Sequence, residues 1–503
     1  MTARTLMIQG TSSSVGKSLL TAGLCRVFAR RGLRVAPFKA QNMSNNAAVC
    51  ADGAEIGRAQ ALQAAAAGVA PTADMNPVLL KPEADSRAQV VLRGRVWQTL
   101  PARSYQERKR LLWGHVAESL DRLRAAFDLV VIEGAGSPVE LNLKAGDIVN
   151  MAVARYARAP VLLAGDIDRG GVFAHLLGTL DLFDPAERAL VRGLVVNKFR
   201  GDPTLFLDGV RILEERGGVP VLGVVPYLHG LNLPDEDAVA VEAEPAAPPH
   251  GAVDIAVVRL PRIANFDDFD PLKAEPGVRL RYVDSPSHLG RPHAVVIPGT
   301  KSTAADLQWL RDRGLAEAIT RLAAQGTAVA GVCGGYQMLG RVVRDAGGVE
   351  SAVGEIPGLG LLPVETTFAA EKAAHQARAV VSDGPGWFAA LAGTPLTGYE
   401  IHMGRTPAPA SWLEIVERSG EPCRVPDGAA SADGRVWGCY LHGLFANDTF
   451  RRAWLTSLRA DFRPAPEGAA ARLQTGLDRL ADALVAAIPV ERLDRIITEG
   501  VGG

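Results

Sequence analysis

The stretch GTSSSVGKS, Gly10 to Ser18, follows an apolar run at Thr5–Gln9 and opens directly into a helical pattern over Ser18–Arg31. Strand, glycine-rich turn and helix in that order leave few folds open. Such a turn converges backbone N–H groups on one point, lets phosphate oxygens approach small residues, and adds the charge of a lysine. Gly10, Thr11, Ser12, Val15, Gly16, Lys17 and Ser18 supply those parts for ATP, and the Ser18 hydroxyl is placed for Mg2+. Five residues separate Gly10 from Gly16, where the common pattern has four. Behind the turn, Leu20, Leu24, Val27 and Phe28 recur at helical spacing, and Gly32 is suited to stop the helix.

Further short apolar runs follow at Arg34–Phe38, Leu129–Ile132, Val161–Ala164, Gly193–Val196 and Val221–Val225. They lack period-2 alternation, as strands buried on both faces of a parallel sheet do. Helical patterns lie between them, so residues 1–240 are expected to form a doubly wound α/β domain. The stretch VEAEPAAPPHG, 241–251, reads as a linker. A second alternating series then runs through Ile255–Arg259, Leu280–Val283, Ala294–Ile297, Ala328–Val332 and Val436–Leu441, which predicts a second doubly wound domain over 252–455. In the helical tail, 456–503, the stretch Ala469–Ala487 carries a stripe of Leu473, Leu477, Leu480 and Leu484. Its polar face mixes Asp and Arg, which predicts docking onto the rest of the protein rather than onto a membrane.

A length of 503 residues agrees with two or three domains. A formal net charge of −1 argues against a nucleic-acid partner, whose phosphates demand a basic surplus. Cys25, Cys50, Cys333, Cys423 and Cys439 form neither a disulfide framework nor metal-ligand pairs. The first residues are unlike a signal or transit peptide, and no segment has the apolar length to span a bilayer. A cytoplasmic enzyme is expected.

Open α/β sheets bind ligands at the carboxyl ends of their strands. Glu133 ends the apolar run LVVI, where a charge is costly unless paired, and is expected to help Ser18 hold Mg2+. Asp52, in CADGAEIGRAQ, is the second acidic candidate for the metal. Asn197 and Lys198 end another run and are placed to contact the nucleotide.

In the second series, Gly331-Val332-Cys333-Gly334-Gly335 follows the run AVAGV. Glycines around a nucleophile permit a strained strand-to-helix turn that exposes the sulfur and frees neighbouring N–H groups as an oxyanion hole. Gly334 offers one such N–H, and Gly299, in the loop PGTKS, is placed to offer the second. A cysteine nucleophile needs a base, and His442 in GCYLHGLF follows a strand of the same domain.

These residues resemble the class I, flavodoxin-like glutamine amidotransferase domains, built on a Gly-x-Cys-x-Gly elbow and a distal histidine. The N-terminal half resembles the dethiobiotin synthetase-like P-loop enzymes, which phosphorylate carboxylates. In this order, and through KAQNMSNNAAV, AEIGRAQALQA, MNPVLLKP, GDIDRGGVFA, VVNKFRGD, PGTKST, GVCGGYQMLG, GYEIHMGRT and YLHGLF, nearly the whole chain is similar to the cobyric acid synthase family of cobalamin biosynthesis. The resemblance implies ATP- and glutamine-dependent amidation of the b, d, e and g carboxylates of adenosylcobyrinic acid a,c-diamide, with Cys333 as nucleophile and His442 as base. A corrinoid with several carboxylates calls for arginines and amides, and Gln41, Asn42, Asn45, Arg58 and Arg169 are the candidates. Most class I glutaminases place a Glu two residues after the histidine; Leu444 stands there, and Glu400 is the candidate for the third role. Rival readings are cobyrinic acid a,c-diamide synthase, an amidase of cell-wall lipid precursors, or a P-loop switch ATPase with a relic glutaminase domain. Such switch ATPases carry a lysine five positions before the P-loop lysine, where this chain has Ser12. No nucleic-acid or membrane partner is expected, and a homo-oligomer is compatible with the sequence.

Overall fold

The structure, a computed structural model, describes residues 2–84, 87–234, 251–350, 354–408 and 410–501. The expected linker at 241–251 lies outside the described residues except for Gly251. All six apolar runs of the first series enter one parallel sheet. Its order is Val221–Pro226, Val191–Phe199, Val161–Asp166, Arg4–Gly10, Leu129–Glu133, Val35–Phe38. Every residue of Leu129–Glu133 and of Val161–Asp166 is buried, which is why no alternation shows in the sequence. The strand order reverses at Arg4–Gly10, so the turn after it, the end of Leu129–Glu133 and the end of Val161–Asp166 share one crevice.

The second sheet runs Val278–Val283, Val253–Val258, Ala294–Ile297, Ala328–Val332, Val436–Cys439, all parallel, with Ala429–Ala430 added antiparallel at the edge. In chain order this is 2-1-3-4-5, the flavodoxin-like arrangement expected.

Two antiparallel layers were not legible as strands. In the first half, Val78–Ala84, Arg87–Leu92 and Arg95–Pro101 form hairpins, with Gln41–Met43 parallel to the first. In the second half, the long strand Glu365–Val381 pairs with Pro395–Arg405 and Leu413–Arg418. These layers meet: Ala47, Val49, Leu79 and Val91 pack with Tyr399 and Ile401 in one apolar cluster.

The helix Ala469–Ala487 docks as its leucine stripe predicts. Leu477, Leu480 and Leu484 are buried with Leu20, Leu24 and Phe28 of the helix Lys17–Arg30. Burying each leucine contributes about 1.5–3 kcal/mol relative to leaving it exposed. The crossing is close, since a Cβ on Gly23 would lie 2.3 Å from Leu484 Cδ1. Arg26 pairs with Asp478 at 2.9 Å on one side. At its start, Arg472 reaches the buried Glu275 of the second half at 3.0 Å, beside Arg451 of the helix Asp448–Leu458 at 2.9 Å. The tail therefore straps the halves together. Among the described residues no helix is long and apolar enough to cross a membrane.

Candidate active sites

The P-loop turns from the strand Arg4–Gly10 into the helix Lys17–Arg30 through Gly16, whose φ of 95° favours glycine. A Cβ on Gly10 would meet Val15 Cγ2 at 2.4 Å, and one on Gly16 would meet Asn197 Nδ2 at 2.5 Å. Both glycines are thus required by close approach. Lys17 Nζ donates to the carbonyls of Ser12, Ser13 and Gly136 at 2.8, 3.2 and 2.9 Å, which holds its charge at the mouth of the turn.

Glu133 is buried at the end of its strand, as expected, and it is paired. Ser18 Oγ donates to it at 2.9 Å, Lys39 Nζ lies at 2.8 Å, and Gln63 Nε2 donates at 2.5 Å. Burial works to raise its carboxyl, but Lys39 and these hydrogen bonds outweigh it and hold it below the usual carboxylate range. Ser18 and Glu133 are therefore brought together. Asp52 is not: its Oδ1 accepts from Ala54 N at 3.1 Å within its own turn, and adjacent Gly53 lies against Ala374. Asp52 does not line the cavity around the P-loop, where Ser18 and Glu133 do. Among the described residues no group of three or more His, Cys, Asp or Glu side chains is arranged for a metal. One carboxylate and one hydroxyl do suit Mg2+, which completes its shell with phosphate oxygens and water.

Asn197 and Lys198 reach the P-loop, but through its backbone. Asn197 Nδ2 donates to Val15 O at 2.7 Å, and Lys198 Nζ donates to Ser14 O at 2.6 Å. Lys198 also pairs with Asp166 at 2.9 Å. Sequence reasoning missed Lys39, Gln63 and Asp166, although each lies in a run quoted above. The signal was there for Asp166, which ends a strand as Glu133 does.

Around this turn lies a cavity of about 850 Å3. Asn42, Arg58 and Arg169 line it, whereas Gln41 and Asn45, the other two residues expected to contact the acceptor, do not. Gln41 instead accepts a hydrogen bond from Tyr105. The walls also include Leu480 and Leu484 of the C-terminal helix and Asp270 and Lys273 of the second half. No single domain builds this pocket.

In the second half, Cys333 stands between the strand Ala328–Val332 and the helix Gly334–Leu339 with φ 52° and ψ −109°, the strained elbow expected of a nucleophile. A Cβ on Gly335 would lie 1.9 Å from Ile297 O, and one on Gly334 2.7 Å from Thr300 Cγ2, so neither position has room for a side chain. Gly299 lies beside both Cys333 and His442, because a Cβ there would be 3.2 Å from His442 Cε1 and 3.8 Å from Cys333 Cβ.

His442 is held by an exchange of backbone hydrogen bonds with Tyr399, at 2.9 and 3.2 Å, and its ring stacks on the Tyr399 ring at 5.0 Å. Its Nδ1 lies 2.6 Å from Asp268 Oδ2, while Asp268 Oδ1 accepts from Gly443 N at 2.9 Å. Asp268 is therefore the carboxylate that the fold brings to His442. Glu400 is engaged elsewhere, with Arg418 at 2.7 Å and His402 at 3.5 Å, and neither touches His442 nor lines the cavity. The sequence hid Asp268 because it lies 174 residues from His442, within the acidic run FDDFD. Burial works against charge on His442, but the Asp268 carboxylate and the Cys333 sulfur hold the imidazolium up to about 10. Such an arrangement pairs a cysteine nucleophile with a protonated histidine and an orienting carboxylate.

Residues 6–239 match the family model of the CobQ/CobB/MinD/ParA nucleotide binding domain, and residues 254–450 match the CobB/CobQ-like glutamine amidotransferase domain. Curated relatives align end to end. A cobyric acid synthase of Chloroflexus aurantiacus is 57% identical over 99% of this chain and 100% of its own. One from Desulforudis audaxviator is 52% identical over 99% and 100%. One from Sorangium cellulosum is 54% identical over 99% of each chain.

Proposed function

The chain belongs to the cobyric acid synthase family, and we propose that it amidates the b, d, e and g carboxylates of adenosylcobyrinic acid a,c-diamide with ATP and glutamine-derived ammonia. The observation that carries this reading is the meeting of two chemistries at one wall. Arg58 lines the nucleotide cavity and donates to Tyr399 Oη at 2.6 Å, and the Tyr399 ring lies on the glutaminase base.

In the glutaminase half, the Cys333 sulfur attacks the glutamine amide carbon, and the carbonyl electrons move onto oxygen. N–H groups of Gly299 and Gly334 are suited to receive that oxyanion. His442 passes its proton to the departing nitrogen, Asp268 keeps the ring oriented, and water then cleaves the thioester to release glutamate. In the other half, Lys17 orients the ATP phosphates while a substrate carboxylate oxygen attacks the terminal phosphorus, expelling ADP. Ser18 and Glu133 would hold Mg2+, which neutralises phosphate charge when bound. Ammonia displaces phosphate from the acyl phosphate and leaves the amide. Asn42, Arg58 and Arg169 face the acceptor. On this reading the protein works in the cytoplasm, where ATP and glutamine are supplied.

The test is to incubate the protein with adenosylcobyrinic acid a,c-diamide, ATP, Mg2+ and glutamine, and to count converted carboxylates by mass. Four conversions, lost when either ATP or glutamine is omitted, support the reading. Unchanged corrinoid alongside intact glutamine and ATP hydrolysis rejects the acceptor.

A further inference from the structure

Arg58 begins the helix Arg58–Ala67 in the nucleotide-binding half, yet most of its partners belong to the other half. Its Nε lies 2.8 Å from Asp267 Oδ2, its Nη2 donates to Tyr399 Oη at 2.6 Å and to Ala47 O at 3.1 Å, and its guanidinium sits 5.1 Å from the Tyr399 ring centroid. The ion pair is largely out of water, with side chains 19% and 8% exposed, so the screening that weakens surface pairs is reduced. Both partners adjoin the glutaminase base. Asp267 precedes Asp268, which accepts from His442 Nδ1, and Tyr399 carries the stacked His442 ring and both backbone bonds to it.

A second link fixes the same loop from the same side. Asn265, with φ 53°, accepts a hydrogen bond from Ala47 N at 2.9 Å, so the turn leading into Asp267 and Asp268 is pinned to the strand Ala47–Val49 of the nucleotide-binding half. Removing Arg58 would leave Asp267 buried without its cation, and that charge would have to find a new partner or a proton. The neighbouring carboxylate and the tyrosine ring would lose their fixed reference. A shift of about 1 Å in a catalytic group is enough to cost on the order of a hundredfold in rate.

We propose that Arg58 and Asp267 are positioning residues for the glutaminase base: the nucleotide-binding half supplies, through one guanidinium, the support that sets His442 against Cys333. Arg58 also lines the acceptor cavity, so an anionic corrinoid carboxylate that draws on its charge there would alter the support of His442. Glutamine hydrolysis is thereby made sensitive to the acceptor. This rests on the acceptor reading above only for that last step, because hydrolysis of glutamine alone can be followed without any corrinoid.

Arg58→Gln and Asp267→Asn should each lower kcat for glutamine hydrolysis about tenfold or more while leaving KM for glutamine within about twofold. The double variant should be no worse than the more severe single one, since both remove one interaction. Arg58→Lys keeps charge but loses the planar fork, and should recover only part of the rate. Added guanidinium at millimolar concentration should restore part of the rate to Arg58→Ala and none to Asp267→Asn. Asp267→Asn should keep ammonium-dependent amidation within about twofold, and thermal melting identifies any variant that fails to fold. In the wild type, adenosylcobyrinic acid a,c-diamide should change the rate of glutamine hydrolysis severalfold, and in Asp267→Asn that ratio should fall to one. Unchanged kcat in both single variants, or additive losses in the double variant, would overturn the positioning role. A ratio of one already in the wild type would overturn the link to the acceptor, whether or not the corrinoid is amidated.

Discussion

The two centres of this chain are built on opposite plans. The glutaminase centre is compact and finished: Cys333, His442 and Asp268 are all buried and come from loops of one sheet. The nucleotide centre is a wide cavity whose walls come from the P-loop, the C-terminal helix and the edge of the other half. The difference follows from what each must do. Covalent attack on glutamine requires three atoms held in fixed geometry, whereas a large acceptor with several carboxylates needs room to re-enter in new orientations. Rigid chemistry is local, and broad recognition is assembled.

The largest way to sharpen that contrast is at the sulfur. Cys333→Ala should reduce glutamine-dependent amidation on the order of 10^4-fold, yet spare amidation from added ammonium. Parallel loss of both activities would break the division between the centres. Asp268→Asn should follow, with a fall in glutaminase kcat approaching that size, because an amide in that place favours the wrong imidazole tautomer. It also changes the pH profile. His442 keeps its proton up to about 10, so wild-type glutaminase should lose activity on the alkaline side as pH rises through that value. Removing the carboxylate lowers the folded pKa, and the alkaline limb of Asp268→Asn should move to lower pH. An unmoved limb would mean that Asp268 does not support the imidazolium.

In the open centre, Lys17→Ala should lower ATP-dependent amidation by about 10^2-fold while glutamine hydrolysis persists. Leu484→Ala tests the strap. Leu484 is 2% exposed against the P-loop helix, and its truncation should cost about 2–5 kcal/mol in chemical denaturation. Smallest of all is Asp52→Ala, which should leave the dependence on Mg2+ concentration unchanged, since Asp52 caps its own turn. A shifted Mg2+ requirement would return it to the metal.

The same contrast explains what the sequence disclosed. Parallel strands buried on both faces leave continuous apolar runs, so both sheets could be read with ends within a few residues. The P-loop and the cysteine elbow are contiguous, and their glycines are dictated by approaches such as the one between Gly335 and Ile297. Asp268 was hidden because its link to His442 is tertiary, and acids in a loop are ordinary. Glu400, the candidate for that role, has its carboxylate taken up by Arg418 and His402. The antiparallel layers were missed because the strand Glu365–Val381 is half exposed and mixes Ala, Lys and Glu. Arg58 was legible as a cavity residue, but its partners Asp267 and Tyr399 lie in the other half and give no local pattern.

On the proposed mechanism, ammonia made at Cys333 is consumed in the cavity beside Arg58. Amide-15N glutamine and an excess of unlabelled ammonium, offered together with ATP, Mg2+ and adenosylcobyrinic acid a,c-diamide, test it most directly. Mass spectrometry should find four new amides carrying predominantly 15N. Four amides carrying the isotope ratio of the bulk ammonium would contradict a joined pair of centres.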